Sequence, residues 1–138
     1  MKLECLFCKI VNKKVPAAII HDDERALAFL DITPRAPGHT LVIPKYHAAK
    51  LSELPQEEVG PLFLAVKSVA ALLEKRLLPD GITIGINQGE ASGQVVGHVH
   101  VHLMPRWHND GGGSIQSVVH NAPRESIEEI KKKIIGSE

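Results

Sequence analysis

GHVHVHLMPR, residues 97–106, sets the reading of the whole chain. Histidines at 98, 100 and 102 alternate with Val99, Val101 and Leu103. Alternate side chains of a strand share a face, so the pattern predicts a strand over His98–Met104. Its imidazoles then line one side and its apolar row packs into a core on the other. Three chemistries fit such a row. It can be the polar face of an amphipathic strand, although Thr, Lys or Glu would serve a solvated face as well. It can hold a metal ion, but His98 and His102 stand about 13 Å apart along an extended chain. Three strand imidazoles reach one zinc, at Zn–N distances of about 2.0–2.1 Å, only with strain. It can carry a nucleophile, because neutral imidazole, with a pKa of about 6.5, attacks phosphorus near neutral pH. The resulting phosphoramidate is hydrolysed in a second step. Another imidazole about 7 Å along the same face can then serve the phosphate or the leaving group.

Outward from this stretch, short apolar segments bounded by turn residues predict further strands. They are Ala17–His21, Ala26–Leu30, Thr40–Ile43 and Ile82–Asn87. DITPRAPGHT, residues 31–40, reads as the loop between the second and third. Val59, Leu62, Phe63, Val66, Ala70, Leu73 and Leu77 recur at helical spacing. Pro55 suits the first turn of that helix, and Pro61 either kinks it or marks its start. A second helix is expected over Pro123–Ile135, with Glu125, Glu128 and Glu129 early and Lys131–Lys133 late, as the helix dipole favours. These elements predict an α+β fold: about five antiparallel strands, one long helix and a C-terminal helix. RWHNDGGG, residues 106–113, follows no strand-to-helix phosphate-loop pattern and reads as a flexible turn.

The 138 residues suit a single domain over 1–138, without repeats or linkers. Sixteen basic residues balance sixteen acidic ones, so no global field recruits nucleic acid or an anionic membrane. No apolar run reaches the ~20 residues of a membrane span. MKLECLFCKIVNKK lacks a secretory apolar region, which implies a cytoplasmic protein. Cys5 and Cys8 have the CxxC spacing of a zinc knuckle, and His47 with one strand histidine can complete a four-ligand site. A redox pair, which expects a βαβ context, and two unliganded buried cysteines are the other readings.

The chain resembles the histidine-triad (HIT) family of nucleotide hydrolases and transferases. Residues 98–104 match every position of its His-φ-His-φ-His-φ-φ signature, with φ apolar. CLFCKIVNKKVPA, ALAFLDITPRAPGHTLVIPKYH and NQGEASGQVVGHVHVHLMPR resemble family segments in the same order. The motif-bearing part covers about residues 3–106, leaving 107–138 as loop, tail and C-terminal helix. The resemblance implies a HIT-like fold in which His100 becomes covalently nucleotidylated, His102 contacts the α-phosphate and leaving group, and His39 stands beside them. It places Asp31 on the ribose hydroxyls, although a turn-starting Asx role is the alternative. Asn87 and Gln94 fall at the phosphate end, with Val95 where many relatives carry Ser or Thr. Leu6, Phe7, Ile10, Phe29, Leu30, Ile32 and Leu41 would shape a mostly aliphatic slot for the base. The implied zinc ligands are Cys5, Cys8, His47 and His98, and the zinc is structural. A homodimer acting on purine nucleotides (AMP- or GMP-like) is also implied. His102, rather than glutamine, resembles the hydrolase branches. The expected activity is cleavage of a nucleoside 5′-monophosphate from a phosphoramidate. Dinucleoside polyphosphate hydrolysis, a nucleotide-binding regulatory module and a zinc hydrolase with metal-activated water are the competing expectations.

Overall fold

Two-residue alternation and one long amphipathic stripe account for the architecture. The computed structural model describes residues 4–136. Residues 1–3 and 137–138, which the expected domain also included, lie outside the described residues. In chain order the elements are α1 (Leu6–Val11), β1 (Ile19–Asp22), β2 (Ala26–Leu30), β3 (Thr40–Pro44), α2 (Gln56–Leu77), β4 (Gly81–Gly85), β5 (Val101–Arg106) and α3 (Ile127–Ile135). The strands form one antiparallel sheet in the order β1-β2-β3-β5-β4, so the α+β expectation holds.

The sheet is covered on both faces. Ala26, Ala28, Val42, Val101 and Leu103 pack with Leu62, Ala65, Val66, Val69 and Leu73 of α2. On the opposite face Leu27, Phe29, Leu41 and Ile43 pack with Phe7 and Ile10 of α1. Leu41 pairs with His102 across β3 and β5, so the histidine row belongs to the α1 face. Burying each Leu, Phe or Ile in these layers contributes about 1.5–3 kcal/mol, and the layers fix the face to which every β5 side chain points.

Several boundaries differ from the sequence reading for definable reasons. Regular pairing of β5 starts at Val101, not His98. The His98 N–H bonds to the Val96 carbonyl at 2.9 Å and the Val99 N–H to the Ala48 carbonyl at 2.8 Å, and Pro44 in β3 has no N–H to extend the ladder. β4 therefore ends at Gly85, opposite His102, rather than at Asn87. In α2, Pro61 lies inside the helix, neither starting nor stopping it. Phe63 and Leu77, placed in the apolar stripe from sequence, are exposed. α1 was not anticipated as a helix. It is capped by Cys5, whose Sγ accepts the Cys8 N–H. α3 starts at Ile127 because Ser126 and Glu129 form a reciprocal capping box.

The loop after β5 is not the flexible turn expected. The Arg106 guanidinium donates to both carboxylate oxygens of Asp110 at 2.7 and 3.0 Å, to the Thr83 hydroxyl at 3.0 Å and to the Gly113 carbonyl at 2.8 Å. Asp110 also accepts the Trp107 and Gly112 N–H groups. At Gly38, before His39, φ is +85° and an added Cβ would meet Leu77 Cδ1. Only glycine takes that turn without strain.

Candidate functional site

Two histidine clusters lie on the α1 face, divided between His98 and His100. In the first, Cys5 Sγ is 3.4 Å from His98 Nδ1. Cys8 Sγ is 3.3 Å from His47 Nδ1 and 3.7 Å from His98 Nδ1, and the two Nδ1 atoms are 3.2 Å apart. A tetrahedral zinc with Zn–N of about 2.0–2.1 Å and Zn–S of about 2.3 Å requires edges of about 3.3 Å between nitrogens and about 3.6 Å from nitrogen to sulfur. Four of the six edges among the donors, at 3.2–3.7 Å, stand within about 0.3 Å of those separations. The proton on His98 also agrees. Its Nε2 faces the Pro44 carbonyl at 2.8 Å, and a carbonyl only accepts, so Nε2 carries the hydrogen and the Nδ1 lone pair points into the cluster. Burial chiefly, with the neighbouring His47 and His100 rings, pushes His98 down to about 4 despite the Pro44 bond. It is therefore neutral and able to ligate at physiological pH. Burial pushes the Cys5 thiol up, so a cation is what would draw the thiolate form.

The second cluster is ordered by the same single-lone-pair rule. His100 Nδ1 faces the His98 carbonyl at 2.7 Å. It must carry the hydrogen, which leaves the Nε2 lone pair without a proton. His39 Nδ1 accepts the Arg35 N–H at 3.1 Å, so its hydrogen sits on Nε2, 3.0 Å from His102 Nδ1. His102 thus accepts at Nδ1 and carries its own hydrogen on Nε2. The His100 and His102 ring centroids are 5.0 Å apart, which brings a lone-pair nitrogen and an N–H donor to one locality. Burial first, and the His100 and His39 rings next, push His102 down to about 4, while Asp31 opposes the shift. Burial also lowers His39, again against the pull of Asp31.

Asp31 Oδ1 accepts the Thr33 N–H at 2.9 Å and the Thr33 hydroxyl at 3.1 Å, the Asx turn foreseen as its alternative role. Its Oδ2 lies 3.6 Å from His39 Nε2. Asp31, His39 and His102 also come close enough together to suggest a metal trio. The trio does not fit one, because the one lone pair of His39 is already used on Arg35. Burial works to raise the Asp31 carboxyl, but the Thr33 bonds and the two imidazoles outweigh it and hold the group below its usual range.

The remaining predicted residues divide. Phe7, Ile10, Phe29 and Leu41 form one buried cluster under the histidines, while Leu30 and Asp31 line an open cavity that runs to His39. Leu6 is exposed, and Ile32 and Val95 are 92% and 93% exposed, so these two stand out in solvent rather than in a wall. Asn87 is exposed near Gly93. Gln94 was expected at the phosphate end, but its amide is spent on backbone. Nε2 donates to Ala49 and Val96 carbonyls at 2.8 and 3.0 Å, and Oε1 accepts the Gly89 N–H at 2.8 Å. It holds the loop that leads into His98. Sequence reasoning missed the orienting groups: the carbonyls of His98 and Pro44, and the Arg35 N–H. Every residue type supplies these groups, so no side-chain pattern marks them.

The HIT domain model matches residues 12–109. A HIT-like protein of Methanocaldococcus jannaschii is 42% identical over 136 residues, covering 96% of this chain and 99% of its own. The adenosine 5′-monophosphoramidase of Schizosaccharomyces pombe is 39% identical over 110 residues, covering 80% of each chain. A HIT family crystal structure from Bacillus subtilis aligns with TM-score 0.85 at 37% identity, covering 96% of this chain and 95% of its own. A zinc-bound histidine triad family protein from Mycobacterium smegmatis aligns with TM-score 0.74 at 34% identity, over 97% and 91%.

Folding holds His102 and His39 below the value near 6.5 that they have in the unfolded chain, His102 at about 4. As pH falls the unfolded chain therefore takes up protons first. The stability owed to these neutral rings is whole above about pH 6.5 and is lost as pH falls from there toward about 4. His102→Gln should flatten the decline of the urea midpoint between pH 7 and 4.5; equal slopes in variant and wild type would contradict this.

Proposed function

The chain belongs to the HIT domain family, and from that premise we propose that it is a nucleotide hydrolase whose nucleophile is His100. Residues 1–138 form one such domain in this reading. The observation that carries it is the 2.7 Å bond between His100 Nδ1 and the His98 carbonyl, because it leaves the Nε2 lone pair for attack. The favoured substrate is a purine nucleoside phosphoramidate. The S. pombe relative carries an adenosine monophosphoramidase name. A departing amine also needs a proton more than a phosphate does, and His102 Nε2–H is a donor beside the nucleophile. Dinucleoside polyphosphates and a regulatory binding role rank below it.

In the first step His100 Nε2 forms a bond to the α-phosphorus. The bond from phosphorus to the leaving nitrogen breaks, and the nitrogen keeps the electron pair. It leaves as the amine with a proton drawn from solvent, hydrogen-bonded by His102 Nε2–H, while His39 Nε2–H holds His102 in that donor tautomer beside the Asp31 carboxylate. In the second step a water oxygen bonds to phosphorus and the bond to Nε2 breaks. One water proton is released to solvent, and the 5′-monophosphate leaves with the P–N electron pair back on His100 Nε2. Asp31 also binds ribose, Asn87 and the Gln94-held loop border the phosphate, and Leu30 borders the base, with the buried cluster of Phe7, Ile10, Phe29 and Leu41 beneath it.

Cys5, Cys8, His47 and His98 would hold a zinc ion, which supplies a rigid cross-link and no step of the reaction. The M. smegmatis relative is zinc-bound, and the tetrahedral edge lengths support the assignment. We place the protein in the cytoplasm as a homodimer. Ile127 and Ile134 on α3, 84% and 75% exposed, are apolar surface that a second copy would cover.

Adenosine 5′-phosphoramidate and diadenosine triphosphate test the reading, with quenching in alkaline denaturant because the histidine adduct is labile in acid. One nucleotidyl mass should appear on wild type, and His100→Ala should lose kcat/KM by at least about 10⁴-fold. Turnover undiminished by His100→Ala, with no wild-type adduct, would refute it. For the metal, Cys5→Ser combined with Cys8→Ser should abolish stoichiometric zinc; retention of one zinc per chain would overturn the ligand set.

A further inference from the structure

Phe7 sits between the two cysteines of the metal cluster, on α1, and is only 4% exposed. Its ring stands edge-on to the His100 ring, with centroids 5.1 Å apart and planes at 87°. It meets the His98 ring at 6.0 Å and Phe29 at 5.4 Å, both at 70°. The His100 ring is tied at Nδ1 by one hydrogen bond, which fixes its tautomer but still lets the ring tilt about that contact. An aromatic edge against the ring supplies the missing restraint, since such pairs have a preferred geometry beyond simple burial.

We propose that Phe7 is a positioning residue for His100, and that through it the aim of the nucleophile depends on occupancy of the Cys5–Cys8–His47–His98 cluster. This rests on the reading of His100 as nucleophile. α1 has six residues, too few to persist by its own backbone bonds. It is held by burial of Phe7 and Ile10 and by the two sulfurs in the cluster. A bound ion fixes both sulfurs, one on each side of Phe7 in sequence, and so clamps the ring against His100. Without the ion, Cys5 and Cys8 keep only sulfur–nitrogen contacts of 3.3–3.7 Å, which are weak, and α1 can shift. At 4% exposure Phe7 offers little face to a base, so its larger contribution falls on the attacking ring.

The test uses the full chain with zinc supplied, in wild type, Phe7→Leu and Phe7→Met, the methionine filling the volume without a ring. Substrates are adenosine 5′-phosphoramidate and ribose 5′-phosphoramidate, which has no base. Both variants should keep one zinc per chain and a near wild-type urea midpoint, yet lose about 10- to 100-fold in kcat on both substrates. Chelating zinc should cost wild type a similar factor and the variants little more. Independently of turnover, chelation should shift the His100 ring protons in the wild-type NMR spectrum and leave them nearly still in the variants. Losses confined to KM for the base-bearing substrate would make Phe7 a wall of the base slot and overturn the proposal. So would unchanged kcat in both variants, or chelation and substitution losses that multiply independently. An adduct still found on His100 in the variants keeps the hydrolase reading intact whichever way this falls; a missing adduct in wild type is the failure of that reading.

Discussion

The bond from His100 Nδ1–H to the His98 carbonyl is the constraint on which the site depends. In a regular antiparallel ladder a strand carbonyl is committed to its neighbour or faces away from its own strand's side chains. Here regular pairing begins only at Val101, so the His98 carbonyl is released to accept from a ring two residues on. The release is paid for locally: His98 N–H goes to Val96, Val99 N–H to Ala48, and Gln94 staples the preceding loop. No buried side-chain nitrogen or oxygen among the described residues is left without a partner.

From that bond the division of labour follows by counting lone pairs. A neutral imidazole has one in its ring plane, and what its other nitrogen faces decides where that lone pair goes. Pro44 sends the lone pair of His98 toward the cysteines, and the His98 carbonyl sends that of His100 away from them. Arg35 uses the lone pair of His39, which makes His39 a donor and His102 in turn a donor at its outer nitrogen. Three backbone groups thus set four tautomers. The same counting separates a cluster that fits a metal from a trio that does not, although both bring ligand-type residues within reach of one another.

Much of this was legible in the sequence, in proportion to how far side-chain type carries the information. The two-residue histidine period placed His98, His100 and His102 on one face, and the CxxC spacing with His47 anticipated the four-donor cluster. The long helix and the presence of five strands followed from apolar periodicity. What failed was whatever depends on backbone. The late start of β5 rests on the hydrogen bonds of His98 and Val99, and the helix at Leu6–Val11 rests on a sulfur cap that resembles no common capping pattern. Arg106 and Asp110 lie four residues apart in a glycine-rich run that read as a flexible turn because it follows no phosphate-loop pattern, and their ion pair ties that run together.

The account stands or falls on the tautomer of His100. A long-range ¹H–¹⁵N correlation spectrum of protein labelled at histidine nitrogens reads it directly, without substrate. It should show His100 protonated at Nδ1 and bare at Nε2, with His98 in the opposite tautomer. A His100 protonated at Nε2 would leave no lone pair at Nε2 for attack and would contradict the account at its root.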